Sequence, residues 1–171
     1  TMHTFQDLDI NTTDFNPFRL IGSDWAALTS KADGKINAMT VTWGGVGVLW
    51  GKNVVTVYVR KTRYTKELLD AGDYFSLTFF NENEPKYKSA LKYLGAASGH
   101  DEDKIKTAGL TIAHKNRVPY IDEGNFVILC QKMASIEMPS DKLPEDIREK
   151  WYADGNDHTI YIGEIKGLYA R

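Results

Sequence analysis

The sequence predicts a mainly β protein, a small barrel of antiparallel strands with α-helices at its periphery. Three observations predict it. Apolar, β-branched runs of strand length recur along the chain. The early runs are joined by connections too short for a parallel crossover, which favours antiparallel pairing. Helical stretches fall between the strands at irregular points, so the βα alternation of a doubly wound sheet is missing. A small closed sheet is the simplest architecture that meets all three.

Each element has its own signal. Residues 24–30 form a first strand and residues 35–43 a second, with Lys31-Ala32-Asp33-Gly34 as the hairpin connection. Residues 53–59 form a third strand and residues 73–80 a fourth. Residues 125–138 hold one long, bent strand. The last strand covers residues 158–170, entered through the turn signal Asp154-Gly155-Asn156-Asp157. Thr62 or Thr65 caps a helix that runs to Ala71 and stops at Gly72. Pro85, after Asn83 or Glu84 as cap, opens a second helix that runs through Leu94 and stops at Gly95. Asp101 caps a short third helix ending near Gly109. Pro144 opens a fourth that carries Trp151 and Tyr152.

The bulk numbers bound the function. A chain of 171 residues fits one domain spanning residues 1–171 and buries a sizeable core. With 42 % hydrophobic and 26 % charged residues it is of ordinary globular composition rather than disordered. A formal net charge of -2 gives no global attraction to nucleic acid or to an anionic membrane. No stretch is long and apolar enough to span a bilayer, and the first residues lack the apolar core of a signal peptide, so a cytoplasmic protein is expected. Cys130 is the sole cysteine, which excludes an internal disulfide and suits a reducing compartment. Its place in Phe126-Val127-Ile128-Leu129-Cys130 predicts a buried structural thiol.

Four polar constellations are candidates for chemistry. In Arg60-Lys61-Thr62-Arg63-Tyr64-Thr65-Lys66 a strand ends and a helix begins. Free amides, two arginines and the Thr65 hydroxyl suit a phosphate monoester there. The same residues are consistent with a solvated basic loop. In Asn37-Ala38-Met39-Thr40-Val41-Thr42-Trp43-Gly44-Gly45 a strand can lay its backbone along a flat heterocycle, with Trp43 as a wall. An amphipathic core strand has the same pattern. Ser98-Gly99-His100-Asp101-Glu102-Asp103-Lys104 brings Lys104 toward an anionic or carbonyl group, or leaves it in a surface ion pair. Asp157-His158-Thr159-Ile160 places a histidine at a strand entry, where it is catalytic or structural. A zinc-spaced Cys/His set, a P-loop, a Gly-x-Gly-x-x-Gly turn and a Gly-x-Ser-x-Gly elbow are all missing, and no metal is expected.

The ordered set resembles the flavin reductase-like family with the FMN-binding split-barrel fold, and within it the flavoredoxin-like branch. The resemblance is carried by Asn-Ala-Met-Thr-Val-Thr-Trp (37–43), Arg-x-x-Arg-Tyr-Thr (60–65) and Ser-Gly-His-Asp-x-Asp-Lys (98–104). Val-Pro-Tyr-Ile (118–121) and His-Thr-Ile-Tyr-Ile-Gly-Glu-Ile (158–165) complete it. It implies a Greek-key split barrel, a homodimer and noncovalent FMN at the dimer interface. It implies that Asn37, Ala38, Met39, Thr40, Val41, Thr42 and Trp43 line the isoalloxazine. Arg60, Arg63, Tyr64 and Thr65 would hold the phosphate, Lys104 and His158 would lie beside the flavin, and Phe80 and Asn81 would close another side. His100 stands where many relatives carry arginine, which weakens any anion role there. The few residues after the last strand imply that a longer family tail over the flavin is absent or reduced.

The implied function is an oxidoreductase that passes electrons from NADH or NADPH through FMN to a flavin, iron or protein acceptor, with His158 as the candidate catalytic residue. The alternative is a non-catalytic FMN-binding electron carrier without nicotinamide turnover. Neither implies a nucleic-acid or membrane partner.

Overall fold

Alternation builds the central strand, β5 (Lys52–Arg60). Val55, Val57 and Val59 are fully buried, while Thr56, Tyr58 and Arg60 between them are only partly covered. A period of two sends the valines into the barrel and the other three to its outer wall. The structure is a computed structural model and describes residues 2–171.

β5 pairs antiparallel with β4 (Gly44–Leu49) on one side and β10 (His158–Ala170) on the other. The sheet continues from β10 through β9 (Phe126–Glu137), β6 (Tyr74–Phe79) and β2 (Ala26–Ala32) to β3 (Lys35–Val41). β1 (Gln6–Leu8) adds to the far end of β10. The two ends of this path, β3 and β4, are consecutive in the chain and joined only by Thr42 and Trp43. Laid flat, they would lie roughly 29 Å apart, six strand spacings. Two residues bridge about 11 Å at most. The sheet therefore rolls into a barrel whose unpaired seam is the Trp43 corner.

The interior is filled by Leu28, Met39, Val41, Phe75, Leu77, Ile128 and Tyr161, among others. β9 and β10 are long and bend at register shifts between Ile162 and Gly163 and between Ile165 and Gly167. At Gly163 a Cβ would come within 2.6 Å of the Phe75 ring, so this close approach needs glycine. Cys130 is fully buried, as expected, and burial pushes its thiol up.

Helices α1 (Tyr64–Ala71), α2 (Pro85–Ala96) and α3 (Lys104–Thr107) gather on β3. Ala38, Leu91, Leu94 and Ile105 make a second core between them. Helix α4 (Glu145–Trp151) buries none of its residues and stands before β10. The hairpin of β7 (Ile112–Lys115) and β8 (Val118–Ile121) turns through Asn116 and Arg117, both at positive φ.

Several local expectations need correction. The first strand begins at Ala26, because residues 18–24 wind into a π-helical turn that ends at Trp25 with φ 73°. The second stops at Val41, so Thr42 and Trp43 form the corner instead of continuing the strand. β4 was not expected, since Gly44, Gly45 and Gly47 erase the strand pattern. Neither Thr62 nor Thr65 caps α1; Arg63 holds the cap position, without a side-chain bond. Helix α2 continues past Leu94 and Gly95 to Ala96. Asp103, not Asp101, caps α3 by accepting from the Lys106 amide at 3.2 Å. Pro144 is the cap residue of α4, and Tyr152 lies just beyond its end.

Candidate functional site

β3 is an edge strand with β2 as its only ladder partner among the described residues. Every second N–H and C=O of β3 therefore points away from the sheet. Ala38, Met39 and Val41 are buried, and the Thr40 hydroxyl donates to the Leu91 carbonyl of α2. Asn37 is 3 % exposed and donates from Nδ2 to Oγ1 of Thr65 at 3.0 Å. This bond joins the start of β3 to the first turn of α1. The loop after α2 closes on the same place. At Gly99 a Cβ would lie 2.6 Å from both Asn37 Oδ1 and the Tyr64 ring. Gly99→Ala is thus expected to lower apo stability by about 1–3 kcal/mol, the usual cost of overpacking, read by denaturant unfolding. A variant as stable as the parent would mean that this loop does not sit against Asn37.

The cations are the second feature. Arg63 donates through Nη1 to Gly95 O and through Nη2 to Leu94 O, both at 3.1 Å, at the carbonyl end of α2. Lys104, 1 % exposed, donates to the same Leu94 O at 2.9 Å and to Ala97 O at 3.1 Å. Among the described residues neither has a carboxylate within ion-pair distance, and neither has Arg60. Burial, and then the charge of Arg63, pull Lys104 down to about 8 against the opposing charge of Glu102. Burial also lowers Arg63. The Tyr64 and Thr65 amides of α1 have no hydrogen-bond partner among the described residues. Amides at a helix start and two uncompensated cations make this an electropositive site.

Arg60 is turned elsewhere. Its Nη1 donates to Asn156 O at 2.6 Å and Trp151 O at 2.9 Å, and its guanidinium lies 5.3 Å from the Tyr152 ring centre. It does not share carbonyl partners with Arg63, so the two arginines of the motif do not converge in this structure. Arg60 pairs in register with His158 across the outer wall of the barrel. The His158 ring packs 5.5 Å from Trp43, and Trp43 meets Trp151 edge-to-face at 4.8 Å. Trp43 remains 40 % exposed. Burial and the charge of Arg60 pull His158 down to about 4, so its imidazole is neutral at pH 7.

Phe80 and Asn81 lie near the other end of β3. Phe80 stacks on Tyr87 of α2, with ring centres 5.1 Å apart. Together they line a cleft of about 440 Å³ with Asp24, Lys88 and Leu91. The sequence names Gly99 within a candidate motif but not its packing against Asn37; it does not reveal the Leu94 and Ala97 carbonyls as site elements, and it gives no role to Trp151 and Tyr152. Their positions follow from contacts across the fold that no local pattern encodes.

A family model described as the flavin reductase like domain matches residues 18–171. Among solved structures, the chain is similar to the flavoredoxin of Desulfovibrio vulgaris (Miyazaki F), with TM-score 0.67 and 23 % identity over 86 % of this chain and 69 % of that one. It is similar to the flavoredoxin of Methanosarcina acetivorans, with TM-score 0.67 and 22 % identity over 97 % and 76 %. It is also similar to an NADH:FAD oxidoreductase of Streptomyces globisporus, with TM-score 0.64 and 16 % identity over 86 % and 75 %. No curated protein matches the sequence significantly. At these identities the structural likeness establishes the fold, the split barrel that the sequence motifs imply.

Proposed function

The chain belongs to the flavin reductase-like family, and from that premise we propose that it is an FMN-dependent oxidoreductase that takes electrons from NADH or NADPH and passes them to a flavin, iron or protein acceptor. The observation that carries this reading is the electropositive first turn of α1 beside the free edge of β3. A phosphate monoester needs donors and positive charge; a flat heterocycle with carbonyl and N–H groups needs an edge of backbone. This site supplies both side by side, joined by the Asn37–Thr65 hydrogen bond, and its residues fit the cofactor.

In this reading the Tyr64 and Thr65 amides, the Thr65 hydroxyl, Arg63 and Lys104 hold the phosphate. Arg63 uses two of its five N–H donors on α2 and has three left. Arg60, bonded to Asn156 O and Trp151 O, stays on the His158 side of the site rather than on the phosphate. Asn37 orients Thr65, and the backbone of residues 38–42 meets the ring system. Trp43 walls the ring, and Phe80 and Asn81 bound its far end. FMN would supply hydride acceptance and stepwise electron release, while the protein supplies orientation and electrostatics. His158, neutral, offers a hydrogen bond beside the ring without adding a charge.

No helix among the described residues is long and apolar enough to cross a membrane. A cytoplasmic homodimer fits this reading. Exposed Val48, Trp50 and Ile136 offer apolar surface for a second copy. The lone cysteine suits a reducing compartment.

Stopped-flow mixing of the FMN-loaded protein with NADH and with NADPH tests the function. Rapid bleaching of the oxidised flavin is expected with at least one of them. Bleaching with neither would favour the electron carrier, a reading supported by the cover that Trp151 and Tyr152 place over Trp43 and His158.

A further inference from the structure

Residues 138–157, between β9 and β10, bring a tyrosine onto the candidate catalytic histidine. The Tyr152 hydroxyl lies 2.7 Å from His158 Nδ1 and 3.3 Å from Met138 Sδ. Tyr152 is anchored from both sides: Arg60 lies over its ring, and its ring meets the imidazole edge-to-face at 5.5 Å. The other ring nitrogen, Nε2, has no protein partner among the described residues. A cavity of about 140 Å³ adjoins the histidine, lined by Lys61, Lys66, Glu137, Met138, Asp157 and Thr159.

The hydroxyl has one proton and two acceptors within reach. A thioether is a weak acceptor and an unprotonated imidazole nitrogen a strong one. The proton therefore goes to Nδ1. Nδ1 is then the acceptor, and a neutral ring carries its own proton on Nε2. We propose that Tyr152 is a positioning residue that fixes His158 in the Nε2–H tautomer, so that the histidine presents an uncharged donor to a bound carbonyl or amide oxygen. This goes beyond the flavin reading and rests on it only for the identity of the ligand. A carbonyl oxygen of the flavin or of the nicotinamide carboxamide is the chemical class that such a donor recognises. Burial keeps the Tyr152 phenol protonated, as its donor role requires.

Long-range ¹⁵N–¹H correlation spectra of the uniformly labelled protein at pH 7 decide the tautomer. Expected for His158 are a pyridine-type Nδ1 and a pyrrole-type Nε2. Tyr152→Phe should give a mixture of tautomers, while Met138→Leu should leave the parent signals unchanged. A protonated Nδ1 in the parent protein overturns the proposal, as does an unchanged tautomer in Tyr152→Phe. A changed tautomer in Met138→Leu overturns it too, because the phenol proton would then sit on sulfur. A second arm follows bleaching of bound FMN by reduced nicotinamide. Tyr152→Phe should slow it about fivefold, the loss of one hydrogen bond, with FMN affinity unaltered where the nicotinamide carboxamide is the acceptor and lowered by a similar factor where the flavin carbonyl is. An unaltered rate removes the positioning role. If the parent protein itself fails to bleach, the oxidoreductase reading falls, and the spectra of the unloaded protein still decide the tautomer.

Discussion

Arg63→Ala is expected to weaken FMN binding by roughly 10- to 150-fold while leaving riboflavin within about threefold. A charge-assisted hydrogen bond is worth about 1.5–3 kcal/mol, and each 1.4 kcal/mol is a factor of about ten in affinity. Riboflavin lacks the phosphate, so it should not feel the loss. The structure adds a complication that makes the experiment more informative. Arg63 also ties the end of α2 through Leu94 O and Gly95 O. Leu94 O keeps Lys104 as a donor after the substitution, but Gly95 O loses its only side-chain donor among the described residues. Apo stability should therefore fall by about 1–2 kcal/mol. Because α2 packs over β3, a purely structural Arg63 would disturb the ring site and weaken both flavins alike. The ratio of the two dissociation constants separates the roles, beside a melting curve of the apo protein. Equal losses for FMN and riboflavin would remove Arg63 from the phosphate. Arg63→Lys should recover part of the FMN affinity by restoring charge without the planar fork.

The barrel was legible where the chain alternates. The hairpin of β2 and β3, the bent β9 and the long β10 all announce themselves through apolar periodicity and turn residues. β4 stayed hidden because three of its six residues are glycine, and only Val46, Val48 and Leu49 are left to signal a strand. The seam at Trp43 was hidden for a different reason. It exists because β3 and β4 end up at opposite edges of one sheet, which is a property of the whole pairing order. The site was legible as a set of residue types and less so as geometry. Asn37 and Thr65 were picked out separately, yet their hydrogen bond joins positions 28 apart in sequence. Arg60 and Arg63 read locally as a pair of phosphate ligands. In the fold they reach different segments, one 91 to 96 residues away and the other 31 to 32. Lys104 could be read as half of a surface ion pair; it is instead buried among carbonyls. Short-range patterns report what a residue is able to do. The partners it does it with are set by the rolling of the sheet and the docking of α2.

Lys104 provides the sharpest linkage between pH and binding. Its ammonium is held down to about 8 by burial and by Arg63. A lysine with a folded pKa below its unfolded value is neutral in the fold over part of the range where the unfolded chain is still charged. The fold therefore gains stability as pH rises from about 8 toward 10.5 and bears the full cost of the buried charge below about 8. Ligand binding runs the other way. The FMN phosphate is a dianion above its second pKa near 6, and it favours the charged lysine. FMN affinity should be flat from pH 7 to about 8 and weaken steadily above that, approaching tenfold per pH unit, while riboflavin affinity stays level. Proton uptake on binding FMN at pH 8.5 should appear in calorimetry as a dependence of the heat on the buffer's ionisation enthalpy. Lys104→Met removes the titrating group and is expected to cost FMN roughly tenfold or more at pH 7. It should also abolish the pH dependence above 8. Apo stability should change little, because two lost hydrogen bonds to Leu94 O and Ala97 O are offset by relief of a buried, unpaired charge. Parent FMN affinity that stays constant through pH 9.5 would mean that the phosphate does not sense Lys104. The anion site would then rest on the α1 amides, Thr65 and Arg63 alone.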